Sequence, residues 1–268
     1  MAIVNRTPDS FFDKGSTFAI EKALDAALAA AGAGAAFVDI GGVPFGKGAV
    51  VTLEEELRRV VPLVSAIHDA SDVVISVDTF NAEVARQSIL AGAGMINDTS
   101  GLWDPDMASV VADSEATLVV THSMPPPRSA PLLPSYDDVV AEVIGFLEDR
   151  VARAEHAGVP SERIIIDPGH DLNKNTLHSL EITRRLEEIV RIGLPTLVAV
   201  SNKDFIGESI DREQGRRLEG TIAAAVICIM KGARIVRMHD VPAAVAAVHL
   251  TEAVLGLRQP AYTRHNLQ

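Results

Sequence analysis

Eight polar residues in this chain each close a short apolar run. Asn5 follows AIV, Asp39 follows FV, Asp78 follows VVISV and Asn97 follows MI. His122 follows TLVVT, Asp167 follows RIII, Lys203 follows TLVAVSN and Arg237 follows ARIV. Asp and Asn side chains at neighbouring positions offer acceptors and donors in one plane, which suits the edge of a flat heterocycle. On this count Asp78, Asn97 and Asp167 form a candidate edge-reading cluster, and Lys203 adds a charged donor for a carbonyl oxygen. Arg237 and His239 stand two residues apart in RMHDV, so both project to one side of an extended segment and could hold a diphosphate. Asn5 could support a divalent cation beside them. Each residue also has a plainer use. A strand-end Asp often caps the next helix, and His239 precedes the helical pattern DVPAAV.

Eight polar groups at the ends of eight buried strands are what a (β/α)8 TIM barrel presents at its catalytic face. The apolar runs place strands at 2–5, 36–40, 73–77, 94–97, 116–121, 163–166, 196–200 and 233–237. Helical patterns fall at 17–33, 52–69, 80–92, 105–113, 136–157, 175–191, 211–231 and 241–257. Alternation at this spacing predicts an α/β fold with a parallel sheet, and eight repeats predict closure, with 1–268 as a single domain. Thr52 and Glu55 fit a capping box. The AGAG segments at 31–34 and 91–94 fit helix-end turns. The stretch 123–135 holds five prolines and can be neither helix nor interior strand; it is either a lid or an inert connector.

Bulk properties narrow the function classes. A net charge of −12 argues against nucleic acid or an anionic membrane as partner, and 4% aromatic content argues against base-stacking platforms. No apolar stretch reaches the ~18 residues needed to cross a bilayer, and MAIVNRTPDS does not read as a signal peptide. The single cysteine, Cys228, lies in AAVICIM and reads as a buried small hydrophobe in a cytoplasmic protein. Zinc is not expected, because CxxC and HExxH spacings are absent and His170 and His178 are poorly placed as ligands.

The motifs NRTPDSFFDKG, VDIGG, SVDT, INDTSG, DPG, NKDFIG and RMHDV run along essentially the whole chain in the order seen in dihydropteroate synthases. The chain resembles that family. The resemblance implies a barrel that joins a dihydropterin diphosphate to p-aminobenzoate in folate synthesis. It implies pterin contacts from Asp78, Asn97, Asp167 and Lys203. It also implies a diphosphate site of Asn5, Arg237 and His239 with Mg2+ at Asn5, and catalytic roles for Lys203, Arg237 and His239.

Three departures from the family pattern cluster in loops. The family's Gly-Gly-Glu-Ser-Thr-Arg-Pro-Gly is GGVPFGKGA here, at 41–49, where Lys47 does not reproduce a bidentate Arg. Ser-Arg-Lys-Ser becomes Ser201-Asn202-Lys203-Asp204, which removes a stacking cation and sets a carboxylate where the aminobenzoate carboxylate is received. Gly-Phe-Gly-Lys becomes Asp171-Leu172-Asn173-Lys174, and the loss of two glycines predicts a loop of different conformation. A smaller departure is Arg6. The pattern resembles the divergent second dihydropteroate synthase paralogue of some bacteria.

The expectation is a homodimer that admits a pterin, or a sulfone or sulfonamide, with synthase activity lost or very weak. Two alternatives stand beside it: an active transferase with p-aminobenzoate or another amine, and a noncatalytic binding subunit. A pterin-dependent methyltransferase domain is disfavoured, since no corrinoid module accompanies it. The helix around 221–231 is apolar on nearly all sides, which implies burial or an interface between copies.

Overall fold

Runs rich in Val, Ile and Thr form the strands, because β-branched side chains pack well on a pleated surface. The computed structural model describes residues 1–5, 19–43, 51–124, 127 and 133–266. Six parallel strands pair in chain order: β1 (Ala2–Asn5), β2 (Phe37–Gly41), β3 (Val74–Asp78), β4 (Met95–Asp98), β5 (Thr117–Thr121) and β6 (Ile164–Asp167). Two short strands, β7 (Leu197–Val198) and β8 (Ile235–Val236), pair with each other. Single bridges Ile166–Thr196 and Ala2–Met238 join the two sheets and close the (β/α)8 barrel.

Alternation along each strand separates two cores. Met95, Val119, Ile165 and Leu197 point inward and form an apolar floor with Phe37, Ala199 and Ile235. Their neighbours Ile96, Leu118, Val120, Ile164, Ile166 and Val198 face the helices and belong to the larger outer core. The polar residues of the site stand on that floor.

The helices are α1 (Ile20–Gly32), α2 (Leu53–Ala70), α3 (Ala82–Leu90), α4 (Met107–Ala112), α5 (Val139–His156), α6 (Thr176–Arg184), α7 (Leu186–Val190), α8 (Asp204–Ile210), α9 (Leu218–Met230) and α10 (Val241–Val254). Several start on a side-chain cap. Asn81 accepts from Glu83 N–H at 2.9 Å, Asp138 from Val140 N–H at 2.9 Å and Asp240 from Ala243 N–H at 3.0 Å. Thr52 caps α2 as expected, accepting from Glu55 N–H at 3.2 Å. The return half of that box does not form, because the Glu55 carboxylate is taken by Arg58 and Arg59. Both AGAG segments turn as expected, with Gly34 at φ +99 and Gly92 at φ +112. A side chain at Gly92 would also strike the His68 ring.

Two helices and two strands differ most from expectation. The helix expected at 175–191 breaks at Arg185 (φ −107, ψ 22) into α6 and α7. The helix expected at 211–231 starts only at Leu218. The segment before it holds α8 instead, which ends where Asp211 adopts a left-handed φ of 52. The strands expected at 196–200 and 233–237 form only two ladder rungs, Leu197 with Ile235 and Val198 with Val236. Arg6 and Lys47 lie outside the described residues, as do 125–126 and 128–132 of the proline-rich stretch.

Candidate functional site

Ladder register sets the site. Asn5 pairs with Gly41, Gly41 with Asp78, and Asp78 with Asn97, so these residues share one rung at the carboxyl ends of β1 to β4. Two residues deeper on β2, Asp39 is fully buried and collects three donors. Its Oδ2 accepts from Arg237 Nε at 2.6 Å and from Asn97 Nδ2 at 3.1 Å, and its Oδ1 accepts from Ser76 Oγ. Arg237 also donates from Nη2 to Asp78 Oδ2 at 3.0 Å, and Thr99 donates to Asp78 Oδ1 at 3.1 Å. Asp39 thus ties the edge residue Asn97 to the cation Arg237. The sequence marked it only as one polar strand residue among eight; its distinguishing signal is a lone acid inside the apolar run FVDI.

Burial dominates the electrostatics. It pushes Asp78 up to about 7 against the pull of Arg237, with the neighbouring Asp39 charge adding to the rise. It pushes Asp167 up to about 6, moderated by Gly169 N–H, which donates to Oδ1 at 2.8 Å, and by Lys203. Lys203 is lowered by the same desolvation, and Asp171, Asp167 and Asp78 favour its charged form. Asn97 Oδ1 is buried and has no hydrogen-bond partner among the described residues. An unpaired amide oxygen between shifted carboxylates is an acceptor waiting for an N–H.

His239 reaches Ser201, just beyond the end of β7. Its Nδ1 lies 2.9 Å from Ser201 Oγ, and its backbone N–H donates to the same oxygen at 3.2 Å.

The loop after β6 corrects two expectations. Asp171 (φ 61) and Asn173 (φ 50) both adopt the left-handed conformation, so the loop keeps glycine-like dihedrals there. Asp and Asn are among the L residues that tolerate this region best. The carboxylate that reaches the start of α8 is that of Asp171, not Asp204. Asp171 Oδ2 accepts from Asp204 N–H at 2.6 Å and from Phe205 N–H at 3.4 Å, while Ser179 Oγ donates to Oδ1 at 2.9 Å. Asp204 turns outward, 77% exposed, and pairs with Arg217 at 2.8 Å. Arg217 also donates to the Asn202 and Arg212 carbonyls, and its guanidinium fills the space where a Cβ on Gly207 would sit. Asn202 (φ 59) points toward 211–217 and accepts from Gly215 N–H at 3.1 Å.

Beneath this loop Lys174 is buried and donates to His122 Nδ1 at 2.7 Å and to the Gly169 and Leu172 carbonyls at 2.9 Å. Burial lowers Lys174 to about 7 and His122 to about 3. His170 is also buried, stacked on Phe205 with ring centroids 5.7 Å apart, and burial lowers it to about 3. Cys228 is buried, and its thiol is pushed up to about 12 by desolvation. Among the described residues no three His, Cys, Asp or Glu side chains cluster as metal ligands. No described helix is long and apolar enough to cross a membrane.

Fold and site together define a parallel (β/α)8 barrel with a charged, hydrogen-bonding mouth. The family model described as pterin binding enzyme matches residues 1–239, and the chain belongs to that family. It is 42% identical to the inactive dihydropteroate synthase 2 of Mycobacterium leprae (strain TN), over 100% of this chain and 94% of that protein. It is 39% identical to the dihydropteroate synthase of Escherichia coli (strain K12), over 97% and 92%. Among solved structures, the Yersinia pestis dihydropteroate synthase in a sulfonamide complex superposes with TM-score 0.91 at 36% identity, covering 96% of this chain and 94% of that one. The Xanthomonas albilineans enzyme in complex with 7,8-dihydropteroate gives TM-score 0.86 at 39% identity, covering 96% and 94%. The chain is a dihydropteroate synthase homologue of the kind that includes inactive paralogues.

Proposed function

We propose that this protein binds a pterin at the barrel mouth and has lost, wholly or nearly, the ability to make dihydropteroate. Asn97, Asp78 and Asp167 take the pterin edge, and the unpaired Asn97 Oδ1 receives a ring N–H. Lys203 donates to the pterin carbonyl. Arg237 and His239 hold the diphosphate, with Arg237 Nη1 available because the contacts to Asp39 and Asp78 use Nε and Nη2. Asn5 offers one neutral oxygen, which suits Mg2+ that arrives already bound to substrate phosphates rather than a resident ion. When bound, Mg2+ would screen the leaving diphosphate. The chain's own part is to orient the pterin and hold the diphosphate.

The observation that carries the loss of synthesis is Asp171. An internal carboxylate already sits on the two amides that open α8, beside Lys203. A carboxylated amine entering there meets repulsion and finds those donors taken. The test is turnover with 6-hydroxymethyl-7,8-dihydropterin diphosphate, p-aminobenzoate and Mg2+. We expect calorimetric binding of the pterin diphosphate and pyrophosphate release at least ~100-fold slower than with the Escherichia coli enzyme, the scale set by one lost transition-state contact. Release within tenfold of that enzyme sinks the proposal.

One observation favours a second reading, a transferase with a different amine. A cleft of about 430 Å³ beside α8 is lined by Asp171, Asp204 and Glu208 against one base, Lys174, and this acidic excess favours an uncharged or cationic acceptor. Pyrophosphate release with such an amine, but not with p-aminobenzoate, would select it. Sulfone and sulfonamide ligands enter under either reading, as the Yersinia complex suggests.

Pairing into a homodimer is part of the proposal. Ile227 and Met230 of α9 and Leu250 and Val254 of α10 are exposed, and these two helices pack on each other. Light scattering that gives a monomer mass at micromolar concentration would remove this part.

A further inference from the structure

We infer that Ser201 is a positioning residue for His239, and that its hydroxyl fixes the ring proton on Nε2. The inference rests on the proposed diphosphate role of His239, which it deepens.

Strand register makes the pair. Val198 lies opposite Val236, and Arg237 N–H donates to the Val198 carbonyl at 3.0 Å. Ser201 and His239 each lie three residues beyond that rung, so they meet across the seam where the two short strands end. Ser201 is buried, at 6% exposure.

A hydroxyl has one proton and two lone pairs. The backbone N–H of His239 can only donate, so it uses one lone pair of Ser201 Oγ at 3.2 Å. The remaining contact, Oγ to Nδ1 at 2.9 Å, could run either way. If Nδ1 donated, Ser201 would accept twice and its own proton would need another acceptor. Among the described residues Ser201 makes no other hydrogen bond. A buried hydroxyl proton left unpaired is costly, so the hydroxyl donates to Nδ1. Nδ1 then carries a lone pair and the neutral ring carries its proton on Nε2.

The consequence is chemical. A neutral imidazole protonated on Nε2 presents a donor to an anion, whereas the other tautomer presents a lone pair to it. Ser201 therefore decides whether the uncharged ring attracts or repels a phosphate oxygen.

The test combines two readouts at pH 8.5, about two units above the ordinary imidazole pKa. The first is 15N NMR of histidine-labelled protein, with the His239 signals assigned by their loss in His239→Gln. The second is calorimetric titration with pyrophosphate. Wild type and Ser201→Thr, which keeps the hydroxyl, are expected to show a protonated Nε2 and affinities within twofold of each other. Ser201→Ala is expected to shift the proton toward Nδ1 and weaken pyrophosphate about tenfold. The near-isosteric Ser201→Cys, a weak donor, should move the same way and serves if Ser201→Ala does not fold. A protonated Nδ1 in wild type overturns the inference. So does Ser201→Ala, or Ser201→Cys in its place, with unchanged tautomer and affinity. If the tautomer follows the hydroxyl but wild type fails to bind pyrophosphate, the positioning role stands and the diphosphate reading falls.

Discussion

Two Asp–Arg pairs occupy the same face of this barrel and live in different worlds. Asp39 and Arg237 meet at 2.6 Å with side chains 0% and 16% exposed. Asp204 and Arg217 meet at 2.8 Å with side chains 77% and 10% exposed. Around the first pair, groups are held rigid and left open. Among the described residues Asn97 Oδ1 lacks a partner, Asp78 and Asp167 are pushed toward neutrality by burial, and the contacts of Arg237 to Asp39 and Asp78 use only Nε and Nη2. Around the second pair, the protein fills its own mouth. Asp171 covers the first amides of α8, Arg217 covers the backbone at 202 and 212, and Asn202 fastens 211–217. Among the described residues Asn202 Nδ2 stays unpaired there, as do His170 Nδ1 and His122 Nε2 beneath the loop. The first half holds shifted carboxylates and an unpaired amide oxygen at the strand ends, and the second half spends its carboxylate and guanidinium on its own backbone.

The comparison breaks most readily at Asp39. Asp39→Asn leaves Arg237 in the interior with Asp78 as its remaining ion-pair partner and the more distant Asp167 charge. Removing one member of a buried ion pair costs about 3 kcal/mol or more, and we expect that loss in urea unfolding, with pterin binding abolished as Asn97 loses its anchor. A cost under about 1 kcal/mol would mean that Asp78 and Asp167 balance the guanidinium, and that Asp39 is not the hub of the open half.

The pH dependence of stability sharpens the contrast from below the closed half. His170 is held neutral to about 3 by burial, while an unfolded histidine titrates near 6.5. As pH falls through 6.5 the unfolded chain gains a proton that the folded chain refuses, so stability falls. From pH 7 to pH 5 the linkage relation makes this about 2 kcal/mol for one such group. His170→Phe keeps the stack on Phe205 and deletes the proton. Its melting temperature should drop less than wild type over that interval, and an equal drop would place the acid sensitivity at His122 instead.

Much of this architecture was legible because strands announce themselves. VVISV, TLVVT and RIIID read as strands on composition alone, and the polar residues Asp78, Asn97 and Asp167 do stand at strand ends. The short strands β7 and β8 were placed but overextended, since residue type alone does not reveal where a ladder stops. What stayed hidden is tertiary. Nothing in DLNK says that Asp171 reaches α8 across 33 positions of sequence. A helix-start Asp usually serves its own helix, but at Asp204 the place is taken by Asp171, and the Asp204 carboxylate pairs with Arg217 instead. The helix break at Arg185 was hidden too, because Arg is a good helix former; its guanidinium is drawn to Asp138 and Glu188.

Two substitutions at Asp171 separate its side chain from its backbone. Asp171→Gly removes the carboxylate from α8 but suits the φ of 61. Loss of a cap costs about 1 kcal/mol, and relief of the left-handed strain returns about as much, so the net change should be close to zero. Asp171→Ala loses the cap and keeps the strain, so it should lie about 1 kcal/mol below the glycine variant. If the two unfold together, the strain is absent and the carboxylate alone holds the loop.

The smallest effect completes the comparison. Asp204→Ala breaks an ion pair of nearly the same length as the one at Asp39. Here the carboxylate is in water, and Arg217 retains the Asn202 and Arg212 carbonyls as acceptors. An exposed pair of this kind is worth about 0.5 kcal/mol or less. The expected outcome is a midpoint in urea close to wild type, with the small difference between the two proteins shrinking further in salt. Were Asp204→Ala to cost as much as Asp39→Asn, burial would not be what separates the two halves, and Arg217 would have to be counted as a second buried cation that depends on its single carboxylate.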